Sequence, residues 1–209
     1  MASEIQTAGH GRHGKPWISS HPLGLWVSIL LEVDPSQLPT LSLLGALAAS
    51  DAIRALTGLE ASLKWPNDLL LQSRKVAGLL VETVTRPRLP ALALVGLGLN
   101  LHQQTSDFPE TLKKSAVSLC QACGRRVPRA QALAAFLESL NHRLHQSHGD
   151  LLADWRGSFS QMGQNLTVWV GGESLSGIAE NVDESGHLHL RLGNGEIRVL
   201  TSGETNFPA

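Results

Sequence analysis

Gly9-His10-Gly11-Arg12-His13-Gly14-Lys15-Pro16-Trp17 is the stretch on which the fold assignment turns, because its glycines satisfy two phosphate-binding patterns at once. Gly9, Gly11 and Gly14 fit GxGxxG, and Gly9 through Lys15 fits GxxxxGK[ST] as far as the lysine. Both fail on context. A P-loop needs a hydroxyl after the lysine to reach Mg²⁺, then a helix whose N-terminus faces the phosphates. Here Pro16 follows, and then Trp17-Ile18-Ser19-Ser20-His21-Pro22. A dinucleotide fingerprint must run from a buried strand into a helix, which Pro16, Pro22 and Gly24 break. What remains is a flexible cationic loop between strand-like segments. Its backbone N–H groups, with Arg12 and Lys15, suit a phosphate without any helix dipole.

Residues Ala2 to Thr7 read as the end of a strand entering that loop. Beyond it, Leu25 to Val33 is rich in branched and aromatic residues and predicts a buried strand. Leu41, Leu44, Leu47, Ala48, Ile53 and Leu56 keep helical spacing within 38–56, with Gly58 as C-cap. A hairpin-like unit follows: Ala61 to Trp65, the turn Pro66-Asn67-Asp68, Leu69 to Leu71, a second turn at Gln72-Ser73-Arg74, and Lys75 to Glu82. Ala91 to Leu101 predicts another buried strand in which Gly96 and Gly98 fall on one side. Missing side chains at alternate positions leave a slot for a ligand or backbone lying flat on the sheet. Pro128 to His148 predicts an amphipathic helix, and Gly149 precedes a further helix capped at Asp150 and running to Phe159. Past Gly163, short strands at 166–170, 177–181, 188–192 and 197–200 are separated by Gly- and Asn-containing turns, which predicts a small β-barrel. The domain boundary therefore falls near Ser160, giving units 1–160 and 161–209.

Composition narrows the partners. With 17 basic and 18 acidic residues the net charge is −1, so no chain-wide basic field exists to hold nucleic acid. The longest apolar run, Leu89 to Leu101, is too short and too interrupted to span a bilayer, and no signal-peptide pattern opens the sequence, so the chain reads as cytosolic. Cys120 and Cys123 form a CxxC with no second CxxC to complete a zinc set, and read as small residues on a short helix ending at Gly124. His142, His145 and His148 share a helical face at spacings of three, in a polar segment that reads as solvated. No fixed metal site is expected.

Four blocks identify a family. Gln6 through Trp17, Lys64-Trp65-Pro66-Asn67-Asp68, Lys75-Val76-Ala77-Gly78-Leu79-Leu80-Val81-Glu82, and Gly96-Leu97-Gly98-Leu99-Asn100 resemble, in order and spacing, the biotin protein ligases, and the likeness covers nearly the whole chain. The resemblance implies an α+β fold: a mixed β-sheet packed with helices, class II synthetase-like, followed by a small SH3-like β-barrel. It implies an ATP-dependent ligase that forms biotinyl-5'-AMP and pyrophosphate from biotin and ATP, with Mg²⁺ accompanying the nucleotide. The biotinyl group then passes to a lysine of a biotin carboxyl-carrier protein.

The residues carry over by position. Lys75, Arg12 and Asp68 are the expected catalytic set: Lys75 contacts carboxylate and phosphate, Arg12 closes with its loop over the adenylate, and Asp68 receives the acceptor lysine's proton or helps orient Mg²⁺. Gln6, Gly9, Arg12, Lys75, Gly78, Gly96 and Gly98 are expected to seat biotin. Arg12, Lys15, Trp17, Asn67, Lys75 and Asn100 are expected at the adenylate, with Trp17 covering it and Asn100 addressing adenine. The loop departs from the usual GRGRxGR form at His10 and Lys15, where lysine loses bidentate phosphate binding. The family's Ser/Thr-Asn segment, which binds the biotin ureido group one strand and one helix before the loop, is not among these residues, so the chain reads as N-terminally abbreviated. Nor is a helix-turn-helix module, which argues against DNA binding. A non-catalytic adenylate-binding or carrier-docking module, and a lipoyl or octanoyl transferase of related fold, stand as rival readings, and monomer and homodimer both stay open.

Overall fold

The fold was analysed in a computed structural model that describes residues 1–87 and 89–206. Its first layer is a six-stranded sheet built from β1 (Ala2–Ser3), β2 (Gly24–Val33), β3 (Ser62–Lys64), β4 (Asp68–Leu71), β5 (Arg74–Arg86) and β6 (Leu89–Asn100), ordered β1-β2-β6-β5-β4-β3. All five strand pairings are antiparallel, while isolated parallel bridges join Leu63 to Phe159 and Lys75 to Ala116 at its margin. Alternation decides which face is buried. Val27 and Val33 of β2, Leu79 of β5, and Ala91, Ala93, Val95, Leu97 and Leu99 of β6 form one apolar face within the core.

Helix α1 (Leu41–Thr57) lies on that face, next to α3 (Arg129–Leu144). Ala46, Ala48, Ala49 and Ala52 are all buried, and side chains this small let the helix sit close to the sheet. A 3₁₀ segment, Pro35–Thr40, delivers the chain into α1, and Gly58 ends it in the left-handed conformation (φ 73°), as the sequence predicts. Helix α2 (Leu119–Cys123) carries a Ser118–Gln121 capping box and ends at Gly124.

Two helical expectations are corrected. The helix predicted over 128–148 stops at Leu144 as α3, and the further helix predicted from Asp150 starts earlier, as α4 (His148–Ser158). His142, His145 and His148 thus occupy a helix, its cap and the next helix's start, not one continuous face. Gly149 lies inside α4, and the cap is Ser147, whose hydroxyl accepts from the Asp150 N–H, because a short hydroxyl side chain just outside the first turn reaches that donor.

The C-terminal strands β7 (Asn165–Val170), β8 (Glu173–Val182), β9 (Leu188–Leu192), β10 (Ile197–Leu200) and β11 (Glu204–Asn206) pair antiparallel in the order β10-β9-β8-β7-β11. Among the described residues this small β unit is an open sheet, with β10 and β11 at its edges. No helix among the described residues is long and apolar enough to cross a membrane.

The two sheets are tied together at Trp65, which is 1% exposed. Its Nε1–H donates to Gly186 O at 2.9 Å, in the turn between β8 and β9, and its carbonyl accepts from the Thr205 hydroxyl of β11 at 3.0 Å. The Thr205 hydroxyl also lies 2.9 Å from the buried Gln161 side-chain amide, and Ser160 N–H donates to Leu63 O at 3.1 Å. Replacing Trp65 with Phe leaves the Gly186 carbonyl without its donor. Urea unfolding of Trp65→Phe is expected to show a loss of about 1–3 kcal/mol. An unchanged midpoint would show that the indole N–H does not join the sheets.

Candidate functional site

The sheet face away from α1 and α3 holds the site. Cross-strand register sets Gly78 of β5 opposite Gly98 of β6, and Leu80 opposite Gly96, so three positions of this face have no side chain. A Cβ at Gly98 would lie 2.7 Å from the Trp17 Nε1, inside the volume of an indole that rests directly on the strand. Trp17 in turn meets Trp26 of β2 edge-on, with centroids 6.1 Å apart at 75°. At Gly78 a Cβ would come within 3.3 Å of both Lys75 Nζ and Asp68 Oδ1, pressing on the ion pair those groups make.

That pair is the site's electrostatic centre. Lys75 Nζ is 2.6 Å from Asp68 Oδ1 and 5.1 Å from the Trp17 ring centroid, so it is held by a carboxylate and by an aromatic face. Strict alternation would put Lys75 and Gly78 on opposite faces. The β4–β5 register, however, runs Asp68↔Gly78, Leu69↔Ala77, Leu70↔Lys75, and omits Val76. This bulge leaves Val76 and Ala77 both fully buried and returns Lys75 to the face of Gly78 and Asp68. The β5 backbone on the far side of the bulge is fixed by Lys75 N–H donating to Ser115 O (2.7 Å) and Val117 N–H donating to Lys75 O (3.0 Å).

The glycine-rich loop arches over this floor. Trp17 N–H donates to Gly9 O at 2.9 Å and Gln6 N–H to Ser19 O at 2.9 Å, so the base of the loop is closed by backbone. Gly9 is needed there because a Cβ would fall 2.7 Å from Trp17 O. At the tip Arg12–Gly14 makes a 3₁₀ turn with His13 at φ 56° and Gly14 at φ 71°. The loop's cations reach the second sheet: Arg12 Nη1 donates to Gly203 O at 3.3 Å, and Lys15 Nζ sits 2.5 Å from Glu204 Oε2. The hydrogen bond from Lys15 holds the Glu204 carboxyl below its ordinary range. Burial pushes Arg12 down, opposed by the carboxylates of Asp68 and Glu204.

A cavity of about 520 Å³ opens between floor, loop and β11, the size of a small-molecule cleft. Of the residues expected from the motifs, Gln6, Arg12, Lys15, Trp17, Asn67, Asp68, Lys75, Gly78, Gly96, Gly98 and Asn100 line it, and Gly9 does not, lying in the loop base behind Trp17. Three lining side chains are committed to structure. Gln6 Oε1 accepts from the Ser19 hydroxyl at 2.7 Å, the Asn67 amide donates to Leu79 O, and the Asn100 amide donates to Val117 O at 3.2 Å. Among the described residues no group of three or more His, Cys, Asp or Glu side chains could hold a metal ion.

The motif reading assigns no role to Lys64, Gln103 or Glu204, all of which line the cavity. Lys64 is the first residue of the KWPND block, and burial is the main force lowering its pKa, with Asp68 and Glu204 acting against it and Lys75 and Lys15 with it. Its place in a motif was a usable signal. For Gln103 and Glu204 none existed, since only folding brings them to the cleft, Glu204 against Lys15.

Residues 2–100 match the Biotin/lipoate A/B protein ligase family, and residues 162–205 match the Biotin protein ligase C terminal domain. The bifunctional ligase/repressor BirA of Bacillus spizizenii is 33% identical over 97% of this chain, which spans 64% of the length of that relative. A biotin--[acetyl-CoA-carboxylase] ligase of Mycobacterium tuberculosis is 32% identical over 98% of the chain and 77% of its own length. Among solved structures, the biotin protein ligase of Aquifex aeolicus in complex with biotin and ATP superposes with a TM-score of 0.83 at 28% identity, covering 98% of this chain and 86% of that one. On its sequence blocks, its glycine-floored cleft and these relationships, this chain belongs to the biotin protein ligase family.

Proposed function

We propose that the protein is a biotin--[acetyl-CoA-carboxylase] ligase: it condenses biotin with ATP to biotinyl-5'-AMP and pyrophosphate, then transfers the biotinyl group to a lysine of a biotin carboxyl-carrier protein. The observation that carries this reading is the gathering of Arg12, Lys15, Lys64 and Lys75 around a cleft floored by Gly96 and walled by the Trp17 indole on Gly98 and the Lys75–Asp68 pair beside Gly78. A flat, largely apolar ring suits the cleft. Two anions, the biotin carboxylate and the α-phosphate, must approach each other, and clustered cations offset their repulsion in a cleft of reduced dielectric.

In the first step a biotin carboxylate oxygen bonds to the α-phosphorus as the bond to the pyrophosphate oxygen breaks, and the pyrophosphate leaves with its electron pair. Lys75 offsets charge on both reacting anions, with Asp68 fixing its ammonium in place. In the second step the acceptor amine bonds to the acyl carbon, AMP departs with the electrons of the mixed anhydride, and the amine proton goes to a base, for which Asp68 is the placed carboxylate. Gly9, Gln6 and Trp17 shape the loop that keeps water off the anhydride, and Arg12 and Lys15 bring it over the phosphate. Magnesium suits this site as a companion of the ATP phosphates, since it binds through one or two carboxylates plus substrate oxygens, and Asp68 would be the protein's contribution. Residues 1–160 form the catalytic unit and 161–209 the module that closes on it through Gly203 and Glu204. The reading places the protein in the cytoplasm, acting on a carrier domain without nucleic acid or membrane, as a monomer or homodimer.

Incubation with biotin, ATP, Mg²⁺ and a carboxyl-carrier domain is expected to add one biotinyl mass to the carrier; a carrier of unchanged mass would reject catalysis and leave a binding module. Lys75→Ala is expected to cut the adenylation rate at least about a hundredfold, read as pyrophosphate release, and full activity would remove Lys75 from the mechanism.

Lys64→Met separates stability from function. The folded lysine has a lowered pKa, so its charged form disfavours folding at neutral pH, and that penalty fades as pH rises toward the ordinary lysine range. The variant is therefore expected to unfold at higher denaturant at pH 7, with the gain shrinking at alkaline pH, while adenylation falls about tenfold or more. A variant both active and no more stable would contradict this account of Lys64.

A further inference from the structure

The CxxC of Cys120 and Cys123 has no part in the chemistry proposed above, yet the fold sets it against the wall of the cleft. These are the chain's two cysteines, both unbridged and partly exposed, at the second and last positions of α2. Cys123 packs against the core, and its thiol donates to Arg125 O at 3.3 Å. The sulfur of Cys120 is in neither contact. Residues three apart in a helix share a face, with Cα atoms roughly 5 Å and Cβ atoms about 5–6 Å apart. A disulfide accepts the first separation but needs Cβ atoms about 3.5–4.5 Å apart. The bond can therefore close, provided the turn yields by about 1 Å.

How α2 is held decides what yields. Its first turn is fixed, since Ser118 caps it and donates to Gln103 O at 2.7 Å, Cys120 N–H donates to Leu101 O at 2.9 Å, and Leu119 is fully buried. Its last turn ends at Gly124, whose N–H donates to Cys120 O at 3.0 Å. Closure thus draws Cys123 toward Cys120 against that cap. A disulfide made by distorting a helix is strained and easily reduced, which suits a regulatory bond more than a structural one.

We propose that Cys120 and Cys123 form a reversible thiol–disulfide site, oxidised by a small-molecule disulfide such as glutathione disulfide. The Cys120 thiolate attacks one sulfur of that reagent, giving a mixed disulfide and expelling one thiol. The Cys123 thiolate then attacks the Cys120 sulfur, and the second thiol leaves with the electron pair. Two thiols of the chain are oxidised, and one external disulfide is reduced to two thiols. In the reducing cytoplasm proposed above the pair rests as a dithiol and closes under oxidative stress. Its closure is felt at the cleft, because Leu101, which takes the Cys120 N–H, follows Asn100, and Val117 beside the cap accepts from the Asn100 amide and donates to Lys75 O.

For the test, the reduced full chain is equilibrated in glutathione buffers of graded oxidised-to-reduced ratio, quenched with iodoacetamide and weighed by mass spectrometry. Both alkylation sites are expected to vanish together at high ratio, without bound glutathione, and to return with dithiothreitol. In Cys123→Ser the remaining Cys120 is expected to keep a glutathione, gained severalfold faster than by Cys123 in Cys120→Ser. Hydrogen exchange at the Cys120 and Gly124 amides is expected to rise severalfold on oxidation and to recover on reduction. Two alkylated cysteines at every ratio, or glutathione retained on both, overturn the site. A disulfide that leaves exchange unchanged overturns the strain and its link to the cleft, and equal rates in the two single variants overturn Cys120 as the attacking thiol. These readouts use no ligand of the cleft, so failure of the ligase reading leaves them intact.

Discussion

The ion pair between Lys75 and Asp68 is the contact on which the site depends. Lysine is a point charge on a flexible stem, so placing its ammonium where two anions must meet requires that something hold the stem. Here the holding is done by a carboxylate at 2.6 Å, by the face of Trp17 and by a backbone tied to Ser115 and Val117. Gly78 is part of the same arrangement, because a side chain there would crowd both partners. The pair is partly open to water, so its worth lies in positioning more than in stability.

The C-terminal sheet acts on the site from outside. Thr205 and Gly186 hold Trp65, and so anchor the strand end leading to Asp68. Gly203 and Glu204, next to Thr205, take the loop cations Arg12 and Lys15. One short strand, β11, thus touches both the fixed wall of the cleft and its loop. Under the proposed reaction this two-point contact would hold the loop closed over the anhydride, where a loop held at one end alone samples open states.

Much of the architecture was legible in the chain. Branched-residue runs marked the long strands, the leucine and alanine spacing marked α1, and Gly58 and Gly124 marked helix ends, because these signals are local and short-ranged. The errors were local competitions as well. Ser147 displaced Asp150 as a cap, and Gly149 was tolerated inside a helix. The strand at Glu204–Asn206 escaped notice because three residues carry too little pattern.

By itself the sequence determined which residue types are available: a cationic glycine loop, a lysine beside small residues, and glycines alternating on one strand. Motif order identified the family because spacing along the chain preserves those choices. Only the tertiary structure decided their geometry. The bulge at Val76, invisible to a period-two reading, sets the face that Lys75 presents. Gln103 and Glu204 entered the cleft through contacts distant in sequence. The Asn100 amide, legible as a motif residue, was turned toward backbone carbonyls because buried donors must be satisfied before any ligand is.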